Sequence, residues 1–214
     1  MNDARILAWV LADPSRAAQL RPHQWTAVLT IAQAERLLGT LAHRLAGLDV
    51  PETAARVLDR ARRAAETDRR QALWEAEMAR QALAPLGLPV LLLKGSAYLA
   101  AGMDAGRGRL VGDLDILVPR ERMDDAEAAL LAAGWEWVKQ DDYDDAYYRD
   151  HMHELPPLIH KARDRMIDVH HTILPLTARA RPDAAALIAD AVDLGNGLSM
   201  LCPEDMVIHA VLHL

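Results

Sequence analysis

Apolar side chains in the first third of the chain recur at the spacing of a helix. Between residues 22 and 46 they are three, four or seven positions apart: Val28, Ile31, Leu38, Leu41 and Leu45. Positions with this spacing share one helix face, so the pattern predicts an amphipathic helix of about seven turns at 3.6 residues per turn. Gly47 is expected to end it, since glycine commonly follows a helix C-terminus.

Helices are predicted on either side of this segment as well. Residues 4–12 are expected to form a short helix, and residues 15–20 to add one more turn. A second long helix is predicted over residues 52–85, where Pro85 stops it. Its buried side is assigned to three residues spaced by four: Trp74, Met78 and Ala82. We interpret these helices as a packed bundle rather than as a binding site of their own.

The pattern changes after residue 88. Residues 89–93 are apolar and bounded by turn residues, which predicts a short buried strand. The turn Lys94-Gly95-Ser96 follows, and helical spacing then restarts. Glycine at such a turn lets an anion approach the N–H groups of the helix N-terminus, and serine can donate a hydroxyl. Because strand–glycine–helix turns also occur in folds without a ligand, this segment is not specific by itself.

A second strand carries two carboxylates on one face. It follows residues 102–108, a glycine-rich stretch expected to be a flexible loop, and it places Asp113 two positions before Asp115. Residues i and i+2 of a strand project to the same side, about 7 Å apart. Two interpretations remain open, because the repulsion between the acids is relieved either by neighbouring Lys or Arg side chains or by a hard divalent cation.

The order of strand, Gly-Ser turn, helix and Asp-x-Asp strand resembles the DNA polymerase β-like nucleotidyltransferase superfamily. The matching residues are Leu93-Lys94-Gly95-Ser96 and Asp113-Leu114-Asp115-Ile116. The Leu-Lys-Gly sequence and the Arg-x-x-x-Asp-x-Asp-Ile-Leu-Val sequence that starts at Arg109 are similar to one bacterial branch, the uncharacterised nucleotidyltransferases of unknown substrate. The resemblance covers most of residues 20–214, although only these motifs are specific.

This resemblance implies an α+β fold. A helical N-terminal region would pack on a polymerase β-like mixed sheet flanked by helices, with further helices at the C-terminal end. We therefore expect residues 1–86 to be the helical region, residues 87–175 the nucleotidyltransferase core and residues 176–214 a C-terminal helical segment. A helix opened by Pro203 is still apolar at Leu214, so we expect this last segment to be truncated.

The superfamily carries a third carboxylate on a later strand. The intervening pattern predicts a helix over 121–133 with the apolar face Met123, Ala126 and Leu130, a strand at 135–138, an exposed acidic loop at 140–145, and strands at 146–149 and 154–160. Residues 165–171 then form a β-branched strand, and the resemblance assigns the third acid to Asp168. The alternative for Asp168 is a salt bridge to Arg163 or Arg165.

The resemblance also implies a reaction, which is nucleotidyl transfer from a nucleoside triphosphate to a hydroxyl with release of pyrophosphate. Asp113, Asp115 and Asp168 would be the catalytic residues and would hold two Mg²⁺ ions, for which Mn²⁺ could substitute. Asp168 would complete the ion that activates the acceptor hydroxyl and would accept its proton.

Binding of the nucleoside triphosphate, for example ATP, is assigned to residues near the turn and before the second strand: Lys94, Gly95, Ser96 and Arg109. The acceptor is left open between RNA such as tRNA, a protein hydroxyl and a small metabolite, and a partner protein is compatible with these choices. The alternative function is a catalytically inactive nucleotide-binding or antitoxin-like interaction module. The presence of all three acids argues against that alternative.

The composition limits the class of protein and its cellular compartment. The chain has 214 residues, 51% of them hydrophobic and 26% charged, as in ordinary globular proteins. Its net charge of −7 argues against a broad nucleic-acid-coating surface, although the arginine-rich residues 60–70 could border a local groove. The single cysteine, Cys202, fits a reducing compartment. Because neither a membrane span nor a secretion signal is evident, we expect a cytoplasmic protein. The resemblance to a bacterial branch implies a bacterial origin.

Nine histidines raise the question of a zinc site. His209 and His213 are four positions apart, a spacing compatible with one metal on a helix, and His151 and His153 could share a strand face. Neither an HExxH motif nor a cysteine cluster accompanies them, so the sequence does not favour structural zinc. His170 is predicted to be a wall of the active cleft or simply to be hydrogen-bonded.

Overall fold

Helices and one mixed β-sheet make up the protein, so the predicted α+β fold class is confirmed. The structure is a computed structural model that describes residues 3–139 and 142–213, without the side chains of 142–145. None of the described helices is both long enough and apolar enough to cross a membrane.

The chain divides into two compact units. One comprises Met1–Gln71 with Met103–Leu110, and the other comprises Ala72–Gly102 with Val111–Leu214. The first unit is helical; its elements are α1 (Asp3–Ala12), a 3₁₀ helix (Pro14–Gln19), α2 (Pro22–Ala34), α3 (Leu38–Arg44), the N-terminal part of α4 (Glu52–Leu83) and a 3₁₀ turn (Asp104–Gly106). That last turn lies in the stretch predicted to be a loop.

The prediction of a single helix over residues 22–46 was wrong, because α2 and α3 are separate helices. Arg36 adopts a left-handed conformation with φ of 56°, and the N–H of Leu37 donates to the carbonyl of Ala32 at 2.7 Å. A left-handed residue followed by such a hydrogen bond commonly ends a helix, and that residue is usually glycine. The apolar spacing runs through the break, because Ile31 and Leu38 are seven positions apart. Periodicity alone could therefore not reveal it.

The predicted apolar face nevertheless forms the core of this unit. Val28, Leu41 and Leu45 are buried, and Ile31 and Leu38 pack against them at partial exposure. These side chains meet buried residues of α1 and α4, namely Ile6, Leu7, Val10, Ala54 and Leu58. Burial of this apolar surface is the main favourable contribution to the free energy of folding of the unit.

The buried side of α4 was predicted incorrectly at one position. Trp74 is 49% exposed, and the fully buried residues of this part of the helix are Ala76, Ala79 and Leu83. Met78 and Ala82 pack at the border of the core. The guanidinium of Arg163 lies over one face of the Trp74 ring, 5.2 Å from the ring centroid.

The second unit is built on a sheet that contains seven strands within the described residues, in the order β3-β4-β5-β2-β1-β7-β6. The strands are β1 (Val90–Leu92), β2 (Asp113–Leu117), β3 (Glu136–Trp137), β4 (Leu158–His160), β5 (Arg165–His170), β6 (Val192–Gly195) and β7 (Leu198–Met200). Strand β2 lies in the middle, antiparallel to β1 and parallel to β5. The three predicted strands that carry the candidate motifs are thus neighbours.

Helices alternate with these strands along the chain. They are α5 (Lys94–Ala100), α6 (Met123–Ala132), α7 (Asp142–His151), α8 (Ala184–Ala189) and α9 (Pro203–Leu212). The apolar face predicted for α6 is confirmed, since Met123, Ala126 and Leu130 are all buried. The helix predicted to open at Pro203 is confirmed as α9.

Two predictions between residues 140 and 160 were wrong. The acidic loop and the strand at 146–149 are one helix, α7, from Asp142 onwards, whereas Gln140 and Asp141 lie outside the described residues. Of the strand predicted at 154–160, only β4 and a single bridge between Glu154 and His170 form.

The segment expected to be helical after residue 176 also contains a β-hairpin, formed by β6 and β7. Its turn runs through Gly195, Asn196 and Gly197, all three with positive φ. Glycine and asparagine adopt this conformation at low cost, and a Gly-Asn-Gly run between apolar residues is a hairpin signal. This signal was present in the sequence, although no hairpin was predicted here. Strand β7 pairs in parallel with the buried strand β1.

A buried ion pair supplies a test of this packing. The guanidinium of Arg163 donates to both carboxylate oxygens of Glu75, at 2.8 and 2.9 Å, and lies 4.6 Å from the ring centroid of Trp135. We expect Arg163→Ala to lower the free energy of unfolding by about 3–5 kcal/mol, because Glu75 would remain buried without its partner. Urea unfolding followed by circular dichroism measures the loss.

The matched control is Arg80→Ala, at a residue of α4, the helix that also carries Glu75. Arg80 also holds a carboxylate with two hydrogen bonds, that of Glu77, but this pair is more exposed. Exposed ion pairs contribute little to stability, so we expect almost no change. Equal losses in the two variants would contradict the importance of the buried pair.

Candidate active site on the central strands

Two carboxylates face each other across the pairing of β2 with β5. The strands run parallel, and the register places Asp115 beside Asp168. Asp113, two residues earlier on β2, projects to the same side of the sheet. One oxygen from each of the three side chains lies within 4.8 Å of the others. The structure therefore brings together the three acids that the sequence singled out.

The alternation of β2 explains how the acids reach this position. Leu114 and Ile116, on the opposite face of the strand, are buried at 4% and 0% exposure. Asp113 starts the strand and is exposed, whereas Asp115 is only 3% exposed. A shift of one residue in this strand would bury the aspartates and expose the leucine and isoleucine. The apolar face thus determines where the acids point.

Asp115 is balanced by two nitrogen groups. The Nζ atom of Lys94 lies 2.6 Å from its Oδ1, and Nε2 of His170 lies 3.0 Å from the same oxygen. Burial by itself raises the pKa of Asp115, but the hydrogen bond with His170 and the charge of Lys94 outweigh it, and the pKa is lowered. Burial opposes the charge on Lys94, yet Asp115 raises the pKa of that ammonium. Both groups are charged at neutral pH.

Asp168 has the opposite electrostatics although it is the direct neighbour. Burial, followed by the negative charges of Asp115, Glu154 and Asp113, raises its pKa to about 6. Of the two arginines considered as its partners, Arg163 forms the ion pair with Glu75 described above. The carboxylate cluster therefore repels the charge on Asp168 when no cation is bound, and this repulsion is what a divalent ion would relieve.

Residues 94–96 lie directly beside these acids. The N–H of Leu93 donates to the backbone carbonyl of Asp115 at 3.0 Å, which joins the turn to β2. Lys94 begins α5 with a left-handed φ of 47°, uncommon for a residue other than glycine. Ser96 is 2% exposed, and its hydroxyl has no hydrogen-bond partner among the described residues.

The surroundings of Ser96 connect it with the acids. A small cavity is lined by residues of α4, α5, β2 and β5, including Ser96, Gly112, Asp113 and Arg165. Arg165 donates to the carbonyl of Val111 in the same region, at 3.1 Å. Arg109 belongs to the other unit, in the segment Met103–Leu110, and its nucleotide-binding role stays a prediction.

The structure adds Glu154 to the surroundings of Asp115 through His170, although the sequence had not singled out Glu154 as a functional candidate. His170 is fully buried and bonded to Asp115, so of its two predicted roles the hydrogen-bonded one applies. Its other ring nitrogen, Nδ1, lies 3.3 Å from Oε2 of Glu154, and Nε2 of His153 lies 3.7 Å from the same oxygen. Burial and the neighbouring His170 lower the pKa of His153 to about 4. The sequence signal was faint: an acid next to a histidine in an irregular segment.

The donor set of the carboxylate cluster fits a hard divalent cation. It offers only carboxylate oxygens, which suit Mg²⁺, Mn²⁺ and Ca²⁺. Asp113 and Asp168 keep the cluster partly open, whereas Asp115 is held in place from behind by Lys94 and His170.

The opposed pKa shifts predict opposite effects of two isosteric substitutions in the absence of divalent cations. Asp168→Asn removes a repelled charge and should stabilise the protein at pH 7.5 by about 1–2 kcal/mol, allowing for solvent screening. Because the pKa of Asp168 is raised from 3.8 to about 6 in the folded state, the gain should be complete above about pH 6 and vanish below about pH 4. Urea unfolding at pH 7.5 and 5 measures it.

Asp115→Asn should do the reverse, because it leaves Lys94 and His170 without their anionic acceptor. We expect a loss of about 1–3 kcal/mol at pH 7.5. Asp164→Asn is a suitable control, since Asp164 is exposed and asparagine tolerates its positive φ. If Asp168→Asn destabilised the protein as Asp115→Asn does, the electrostatic description of the cluster would be wrong.

Comparison with known proteins agrees with this geometry. The model of a family described as uncharacterised nucleotidyltransferase matches residues 21–214. Searches of curated proteins and of solved structures gave no match. The match spans both candidate motifs and the strand of Asp168, and it confirms the resemblance inferred from the sequence. The chain therefore belongs to the uncharacterised nucleotidyltransferase family.

Proposed function

We propose that the protein is a Mg²⁺-dependent nucleotidyltransferase that moves a nucleoside monophosphate from a nucleoside triphosphate to a hydroxyl group and releases pyrophosphate. Family membership supports the general activity, nucleotidyl transfer. The observation that carries the finer proposal is the convergence of Asp113, Asp115 and Asp168, whose oxygens lie within 4.8 Å of one another. Three carboxylates at this separation are unfavourable without a cation.

In this proposal the three aspartates hold two Mg²⁺ ions, and Mn²⁺ can substitute. When bound, the ions would neutralise the phosphate oxygens and increase the acidity of the acceptor hydroxyl. Asp115 is the fixed ligand, because the fully buried His170 holds its Oδ1. Asp113 and Asp168 complete the set from positions two residues earlier and on the neighbouring strand.

The transfer itself exchanges one phosphorus–oxygen bond for another. The acceptor oxygen forms a bond to the α-phosphorus, while the bond from that phosphorus to the bridging oxygen of pyrophosphate breaks. The proton of the acceptor hydroxyl goes to a carboxylate oxygen of Asp168. Asp168 suits this role because burial and the neighbouring negative charge favour its protonated form.

The nucleotide would be bound from the α5 side of the cluster. Ser96 supports this assignment, because its buried hydroxyl has no hydrogen-bond partner in the described part of the chain and lines the same cavity as Asp113. Gly95 leaves the backbone accessible to phosphate oxygens. Lys94 balances Asp115 while no cation is present, and would turn its charge towards the phosphates once cations occupy the carboxylates. Arg109 is a further candidate for phosphate charge.

The acceptor remains one of three classes: an RNA end such as that of tRNA, a protein hydroxyl, including that of a partner protein, or a small metabolite. The net charge of −7 disfavours extended nucleic acid. The alternative, an inactive nucleotide-binding or antitoxin-like module, has no need for three converging carboxylates that destabilise one another, so the enzyme is the better supported proposal.

We expect the purified protein to release pyrophosphate from at least one α-³²P-labelled nucleoside triphosphate when Mg²⁺ and a mixture of candidate acceptors are present. Asp113→Asn, Asp115→Asn and Asp168→Asn should each lower the rate by at least about 100-fold, since each removes a ligand of the reacting ions. Transfer of label to RNA, protein or a small product identifies the acceptor class.

The control is Glu136→Gln, which removes an exposed carboxylate on β3 that pairs with Lys161 and should leave the rate unchanged. Tight nucleotide binding without any pyrophosphate release, across all four nucleotides and all acceptor classes, would instead support the inactive module.

The variant Ser96→Ala should change nucleotide affinity without changing the stability of the fold. Since the hydroxyl has no protein partner, its removal should leave the unfolding free energy almost unchanged. Loss of a hydrogen bond to a charged phosphate should weaken nucleotide affinity by about 10-fold. Isothermal titration with a non-hydrolysable triphosphate measures this affinity. Unchanged affinity would remove Ser96 from the site.

A further inference from the structure

We propose that His153, Glu154 and His170 form a second metal site, distinct from the carboxylate cluster, that binds one divalent transition metal ion such as Zn²⁺. The ligands would be an imidazole nitrogen of His153, Oε2 of Glu154 and Nδ1 of His170. The three side chains offer ligand atoms that lie within 4.8 Å of one another. This site goes beyond the nucleotidyl transfer proposed above and does not depend on it.

The distances agree with tetrahedral coordination. Oε2 of Glu154 lies 3.3 Å from Nδ1 of His170 and 3.7 Å from Nε2 of His153. Two ligands bound to one tetrahedral Zn²⁺ at its usual bond lengths are separated by about 3.4 Å. Oε2 thus stands close to the expected separation from each nitrogen, and the ligand atoms of all three side chains lie within 4.8 Å of one another. Water can fill the fourth position.

The hydrogen bonding of His170 supplies an independent argument. Its Nε2 lies 3.0 Å from Oδ1 of Asp115, which leaves Nδ1 as the ring nitrogen available to a metal ion. Nδ1 lies 3.3 Å from Oε2 of Glu154. One cation can therefore bind both atoms.

Burial makes this arrangement costly without a ligand. His170 is fully buried, and its Nδ1 has no hydrogen-bond partner among the described residues. A buried polar atom without a partner destabilises a fold, and a metal ion bound to Nδ1 would remove that cost. The ring of His153 is 8% exposed and packs against the ring of His170 at a centroid separation of 5.0 Å.

The ligand chemistry distinguishes this site from the carboxylate cluster. Two imidazoles with one carboxylate suit Zn²⁺ and its transition-metal neighbours, whereas Mg²⁺ prefers oxygen ligands alone. His170 belongs to both environments: it would bind the transition metal through Nδ1 and donate from Nε2 to Asp115. A metal-bound histidine that donates its second nitrogen to a carboxylate is a common arrangement, and it fixes the orientation of that carboxylate.

The test uses the full chain, stripped with a chelator and dialysed, and titrated with Co²⁺ as an optical probe and then with Zn²⁺ as a competitor. We expect one equivalent of Co²⁺ with visible absorption, displaced by Zn²⁺. His153→Gln and Glu154→Gln should weaken binding by at least about 100-fold. His151→Gln, a change of the same type at an exposed histidine two residues away, should bind as the wild type does.

The double variant Asp113→Asn/Asp168→Asn separates this site from the other. It removes two of the three acids of the cluster and should still bind one equivalent of Co²⁺. Absence of binding by the wild-type chain would overturn the proposal, as would binding that survives His153→Gln or disappears in the double variant. None of these results depends on transferase activity, so the two proposals can fail separately.

A measurement on the wild-type chain covers the case in which the histidine variants do not fold. Nitrogen-15 NMR of the ring nitrogens, recorded before and after one equivalent of Zn²⁺, reports which nitrogens bind the ion. We expect the signals of Nδ1 of His170 and of one ring nitrogen of His153 to move to the range of metal-bound imidazole. Signals of both rings that do not change on addition of Zn²⁺ would overturn the metal site.

Discussion

The parallel pairing of β2 with β5 is the constraint on which the rest of the site depends. It sets Asp115 directly beside Asp168, an arrangement that two like charges oppose. The register is held by the other face of the same strands, where Leu114, Ile116, Ile167 and Val169 are buried in the core. Hydrophobic burial of four side chains thus determines where two mutually repelling carboxylates stand.

The two acids differ because of what surrounds them. Lys94 and His170 both contact one oxygen of Asp115 and keep it ionised, whereas Asp168 faces negative charge and has a pKa of about 6. Within a few ångströms the protein thus provides one carboxylate that is fixed and charged and another that exchanges a proton near neutral pH. Such a difference between neighbouring acids is typical of functional sites. It also explains why the cluster is a strained element of an otherwise well-packed unit.

His170 extends this network away from the cluster. Nε2 of its ring contacts Asp115, and Nδ1 lies 3.3 Å from Oε2 of Glu154, beside the ring of His153. The side chains that orient a reactive group often matter as much as the group itself. His170 lies on β5, and Glu154 is held beside it by an isolated bridge between the two residues.

Much of the fold followed from local pattern. The alternation in β2 and β5 and the helical spacing of α6 each report one buried face, so they predicted those elements and the projection of Asp113 and Asp115. The resemblance of the motifs then added Asp168 as the third acid. Turn chemistry was present but overlooked for β6 and β7, and an arginine in a left-handed conformation ended α2 where no glycine marked it.

What the sequence by itself determined are the residues that lie on each face of each element, because that depends on spacing alone. Only the tertiary structure decided which faces meet: Lys94 with Asp115, 21 positions apart, and His170 with both Asp115 and Glu154. Such contacts follow from strand order and register, which result from packing the whole core at once and leave no local trace in the chain.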